Sequence, residues 1–96
     1  MLLILYSKPG CHLCEGLQEK LEEIQADPQS ECKFQLEVRD ITTQDDWFKA
    51  YEYEIPVLYR QRDHQCAEEP LPRPSPRMTA KSLQMLLQKY LCSSLD

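Results

Sequence analysis

A chain of 96 residues with 42% apolar content holds one domain, spanning residues 1–96, with a modest core; two glycines and an ordinary apolar share exclude collagen-like and disordered classes. Five cysteines are too few, and too odd in number, for a secreted scaffold stapled by disulfides. The net charge of −5 is gathered in residues 1–54, which carry 12 acidic and 5 basic side chains; this reads as solvated helix faces and lacks the concentrated basic surface that nucleic acid requires.

The longest apolar run, Met1 to Tyr6, falls far short of the ~20 residues of a spanning helix and of a signal-peptide core. It reads as a strand buried on both faces. No membrane contact, a cytoplasmic location and reduced thiols are therefore the expectation. Ser7-Lys8-Pro9-Gly10 breaks the strand, and a helix is predicted from about Cys11 to Ala26. Its apolar residues Leu13, Leu17, Leu21 and Ile24 share one face, and Asp27-Pro28 ends it. Phe34, Leu36 and Val38 alternate with Gln35, Glu37 and Arg39, which suits a strand at a sheet edge. Thr43 and Asp46 have capping-box spacing, so a short helix is predicted over Gln44 to Tyr51, with Trp47 and Tyr51 on one side. Ile55-Pro56-Val57-Leu58-Tyr59 reads as a strand with proline at its start. Arg62-Asp63-His64 is a turn signal, and Gln65 to Ala67 a short fourth strand. Four prolines at every second position mark Glu69 to Arg77 as extended, either a rigid connector or a loop shaping a binding groove. A last helix is predicted over Thr79 to Leu91, with Leu83, Leu86, Leu87 and Tyr90 as its stripe and Ser75-Pro76 as an alternative, earlier start.

The chemistry lies in Cys11-His12-Leu13-Cys14, which follows the buried strand and opens the amphipathic helix. Cysteines at i and i+3 in a first turn face the same way, with Cβ atoms roughly 5–6 Å apart, and a small adjustment closes them into a disulfide. The unpaired N–H groups of the helix start and the helix dipole stabilise a thiolate at Cys11. Lys8 can add positive charge, and Gly10 allows the turn that presents Cys11. Cys11 is expected to be the more exposed and to attack, with Cys14 deeper and resolving. His12 either lowers the thiol pKa when protonated or is an exposed loop residue.

Other readings of the pair are half of a zinc site, an iron–sulfur site shared between subunits, and an inert remnant that docks a partner. Zinc needs two further ligands, and the candidates Cys32, His64, Cys66 and Cys92 are scattered. Cys32, Cys66 and Cys92 are given no other role, and no metal site is expected.

Two stretches carry a resemblance: Ile4-Leu5-Tyr6-Ser7-Lys8-Pro9-Gly10-Cys11-His12-Leu13-Cys14 and Tyr53-Glu54-Ile55-Pro56-Val57-Leu58. With the element order, they make the chain similar to the glutaredoxin branch of the thioredoxin fold, and in detail to a group of short, mainly bacterial glutaredoxin-like proteins. The resemblance implies an α/β three-layer fold with a four-stranded mixed sheet in order 2-1-3-4 and flanking helices. It implies a cis Pro56 beside the nucleophile and a substrate groove shaped by Leu13, Ile55 and Pro56. The chain departs from the family in two places. His12-Leu13 stands where Pro-Tyr or Pro-Phe is usual. The Gly-Gly and acid that hold glutathione are replaced by the segment from Pro72 to Thr79, where proline removes donors. Arg73, Arg77 and Lys8 are left as carboxylate partners.

The function expected is a thiol–disulfide oxidoreductase with Cys11 attacking and Cys14 resolving. It is expected to bind no cofactor and to act as a monomer on protein disulfides or with a reductase protein, glutathione being a candidate co-substrate. The alternative is a non-catalytic binding module or redox switch that docks a protein partner.

Overall fold

A strand apolar at every position needs cover on both faces, and the rest of the fold supplies it. The computed structural model describes residues 2–28, 33–62, 65–72, 74–75 and 77–92. The elements in chain order are β1 (Leu2–Ser7), α1 (His12–Ala26), β2 (Gln35–Asp40), a 3-10 turn (Ile41–Thr43), α2 (Asp45–Tyr51), β3 (Val57–Gln61), β4 (Glu69–Pro70) and α3 (Ala80–Leu87), which runs into a π-helical turn over Gln88–Cys92. The sheet order is β2-β1-β3-β4. β1 runs parallel to β2, with Leu3 opposite Leu36, and antiparallel to β3, with Leu5 opposite Leu58.

Alternation along β1 sends its residues to two different layers. Leu3 and Leu5 join Leu17, Leu21 and Ile24 of α1, Leu58 of β3, and Leu83 and Leu87 of α3 in one aliphatic core. Ile4 and Tyr6 join Ile41 on the other face, where Trp47, Tyr51 and Tyr59 pack against them. The Tyr6 ring lies 4.5 Å from that of Tyr51 and edge-on to Trp47 at 5.7 Å. Arg39 stands over both the Tyr6 and the Trp47 rings and donates to Glu37, to Glu68 and to the Tyr6 hydroxyl.

Three expectations need correction, and the alternative, earlier start of the last helix at Ser75-Pro76 is set aside. Leu13, placed on the buried face of α1, is 56% exposed, because it lies in the first turn, and Cys14 fills the core position beside Leu17. Thr43 does not cap α2: it closes the 3-10 turn, and its hydroxyl donates to the Asp40 carbonyl, leaving Gln44 as a cap without a side-chain bond. The fourth strand is Glu69–Pro70 rather than Gln65 to Ala67. It is fixed there by Leu71, whose N–H donates to the Leu58 carbonyl, and by the Arg60–Glu69 ion pair. Pro70 is tolerated because β4 is an edge. The last helix starts at Ala80, capped by the Thr79 hydroxyl accepting from Ser82 N–H; Ser75 forms the turn before it.

β2 lies at the sheet edge, as its alternation predicts. Phe34 and Leu36 pack against the aliphatic core, whereas Val38 is 41% exposed, an edge strand having a neighbour on one side only. Cys32, His64, Arg73 and Pro76 lie outside the described residues, as does the Cys92 side chain. Among the described residues, no helix is long and apolar enough to cross a membrane.

Candidate active site

Strand β1 ends at Ser7, and the chain must turn sharply to enter α1. Gly10 makes that turn at φ +83°, in the left-handed region that glycine adopts without strain. Cys11 is then the N-cap of α1, with extended backbone; its carbonyl accepts from Glu15 N–H and its sulfur from Cys14 N–H at 3.2 Å. One of the orphan donors of the helix start is thus aimed at the Cys11 sulfur. Cys11 and Cys14 are joined as a disulfide, with Cα atoms 5.3 Å apart. The two ends differ in access. Cys11 is partly exposed, whereas Cys14 is 1% exposed and continues the row formed by Leu17, Leu21 and Ile24.

The disulfide lies between two depressions. On one side a groove of about 330 Å³ is walled by His12, Leu13, Gly16, Leu17 and Lys20 of α1, by Ile55 and Pro56 before β3, and by Pro74 and Ser75. The Ile55–Pro56 peptide bond is cis, and Pro56 and Pro74 are both buried. On the other side a cleft of about 200 Å³ is lined by Ser7, Lys8, Cys14, Glu15 and Asp40, among others. Hydrogen bonds from the Thr42 hydroxyl and N–H lower the pKa of the Asp40 carboxyl below its ordinary value.

The candidate residues named above therefore fall on two sides. Leu13, Ile55 and Pro56 share the groove with His12, while Lys8 lies in the opposite cleft. The His12 side chain is 94% exposed, with Nδ1 3.8 Å from a Glu15 carboxylate oxygen. Cys66 is an exposed thiol. Among the described residues, no group of three or more His, Cys, Asp or Glu side chains is placed to hold a metal ion.

Sequence reasoning missed Gly16, Lys20, Pro74 and Ser75. The signal for the first two is present, because Leu13, Gly16, Leu17 and Lys20 fall at i, i+3, i+4 and i+7, a second face of α1 beside the core face. Nothing local marks Pro74 apart from the other alternating prolines.

Residues 2–88 match the family model of the glutaredoxin-like domain (DUF836). No curated protein matches the chain. Among solved structures, the Northeast Structural Genomics target protein XcR50 from X. campestris is 26% identical with a TM-score of 0.55, over 91% of this chain and 96% of that one. Thioredoxin 1 from Thermosipho africanus TCF52B is 13% identical with a TM-score of 0.59, over 94% and 93%. A malarial protein is 13% identical with a TM-score of 0.62, over 94% and 96%. The last two speak to the fold alone, a thioredoxin fold.

Proposed function

Because this chain belongs to the glutaredoxin-like family, we propose that it is a thiol–disulfide oxidoreductase working through a dithiol. The observation that carries the reading is the asymmetry of the Cys11–Cys14 disulfide. A partly exposed sulfur at a helix N-cap is joined to a buried one, beside an open groove.

In the reduced protein, the Cys11 thiolate is stabilised by the Cys14 N–H that already points at its sulfur and by the positive end of the α1 dipole. Lys8 adds positive charge nearby, and His12, whose Nδ1 also faces Glu15, adds it only when protonated. The thiolate attacks one sulfur of a substrate disulfide. A Cys11–substrate disulfide forms, and the other substrate sulfur leaves as a thiolate that takes a proton from solvent. Cys14 loses its proton and attacks the Cys11 sulfur, which releases the second substrate thiol and closes the Cys11–Cys14 disulfide. Two electrons pass from protein to substrate, and an external dithiol protein or two glutathione molecules return them. Leu13, Ile55 and Pro56 seat the substrate. No bound cofactor takes part, and the domain acts as a monomer in the cytoplasm.

The test is insulin reduction with dithiothreitol as electron source, together with trapping. The wild type is expected to accelerate reduction. Cys14→Ser should accumulate a mixed disulfide on Cys11, and Cys11→Ser should lose both activity and trapping. A wild type that reduces no disulfide, or a Cys11→Ser variant that retains full activity, would overturn the reading. A stable pull-down partner without turnover would favour the binding-module alternative.

A further inference from the structure

Gly16 stands in the interior of α1, where glycine is the least favourable residue after proline. Neither the backbone nor the packing asks for it. The only positive φ among the described residues belongs to Gly10, and a Cβ built on Gly16 meets nothing within 4 Å. A side chain at this position would instead project into the groove beside the disulfide, because Gly16 forms part of its wall. The helix therefore carries a residue that weakens it, and the visible consequence is an open groove.

Around Gly16 the walls are apolar: Leu13, Leu17, Ile55, Pro56 and Pro74. The volume of about 330 Å³ is at the low end of the roughly 300–1,000 Å³ of small-ligand cavities, which leaves ample room for a bulky side chain. The occupant's position follows from the chemistry. In the mixed disulfide a substrate cysteine is bonded to Cys11, and consecutive Cα atoms lie about 3.8 Å apart. His12 and Leu13, the two residues that follow Cys11, line the groove, so the neighbour of that cysteine is within reach of it. Charge separates this occupant from glutathione. Lys20 is the one lysine or arginine among the described groove residues, glutathione brings two carboxylates, and an unpaired carboxylate against apolar walls is unfavourable.

We propose that Gly16 is a specificity-determining residue: it keeps open a groove that receives a bulky apolar side chain next to the cysteine of a protein disulfide. The proposal rests on the thiol–disulfide reading above. It predicts a preference, whereas that reading predicts only turnover.

The experiment uses pre-reduced full-length protein in single-turnover reactions, so that the protein dithiol is the only electron donor. Three disulfides are compared: a peptide dimer with leucine on either side of its cysteine, the same dimer with serine there, and oxidised glutathione. Released thiols are measured against substrate concentration. The wild type is expected to reduce the leucine dimer at least tenfold faster than either other substrate in the second-order regime. Gly16→Leu should bring the leucine-to-serine ratio close to one. Gly16→Ala should lower the ratio less while raising Tm, by up to roughly 5 °C for a domain of this size. Wild-type reduction of all three at similar rates overturns the proposal and leaves the oxidoreductase reading standing. So does a leucine-to-serine ratio that Gly16→Leu leaves unchanged in a protein with native circular dichroism. A wild type that reduces none of the three overturns both.

Discussion

The two faces of β1 solve the same burial problem with different chemistry. Under α1 and α3 the face is aliphatic: Leu3 and Leu5 meet leucine and isoleucine side chains with no polar atom to satisfy. Under α2 the face is aromatic and charged: Tyr6 is ringed by Trp47, Tyr51 and Tyr59 and hydrogen-bonded by Arg39. The first face is held by filled volume, which is indifferent to pH. The second depends on ring geometry and on hydrogen bonds among ionisable groups. The disulfide belongs to the first, since Cys14 lies in the same buried row as Leu17, Leu21 and Ile24. The Cys11–Cys14 pair thus stands on the part of the core least sensitive to proton concentration.

Truncation in the aliphatic face should give the largest effect. Leu21 is 0% exposed, and Leu21→Ala is expected to lose about 2–5 kcal/mol through lost burial and the cavity left behind. Urea denaturation measures this, and a loss below about 1 kcal/mol would mean that the face is not close-packed.

An intermediate effect is expected from Arg39→Met on the other face. Burial opposes the Arg39 charge, but hydrogen bonds to Glu37, Glu68 and Tyr6 outweigh it and hold the guanidinium firmly ionised. The variant keeps part of the stem packing and loses those bonds. A loss of about 1–3 kcal/mol is expected, reduced because both glutamates regain water. An unchanged urea midpoint would show that the charged cluster contributes nothing, and the contrast between the faces would collapse.

The smallest effect is in pH dependence. Burial pushes the Tyr6 and Tyr51 hydroxyls above the ordinary value of 10.0, and for Tyr51 the hydrogen bond with Tyr59 adds to this. Above pH 10 the unfolded chain then binds fewer protons than the folded one, so stability is complete below that pH and falls as pH rises through the folded values. Tyr51→Phe should flatten this decline relative to wild type between pH 9 and about pH 11. Parallel declines would remove the aromatic face as the source of alkaline sensitivity.

Much of the molecule was legible before any coordinates. The unbroken run in β1, the alternation in β2 and the 3.6-residue stripe of α1 are local patterns that burial imposes directly. The same holds for the paired cysteines at a helix start, because cap geometry involves only neighbouring residues. The errors fell where a competing partner, near or distant in the chain, decides. Thr43 has capping spacing, yet its hydroxyl is taken by the Asp40 carbonyl. β4 forms at Glu69–Pro70 because Leu71 and Glu69 are held by Leu58 and Arg60 of β3.

The sequence by itself determined the buried strand β1, the edge position of β2 and the cysteine pair at a helix start, since periodicity and helix-start geometry are written in adjacent residues. The layered α/β fold was implied by the resemblance of two stretches to a family. Only the tertiary structure decided which proline is buried beside Ile55 and Pro56 and which face of α1 lines the groove beside the disulfide. A groove is the space left between segments far apart in the chain, and no single segment encodes its shape.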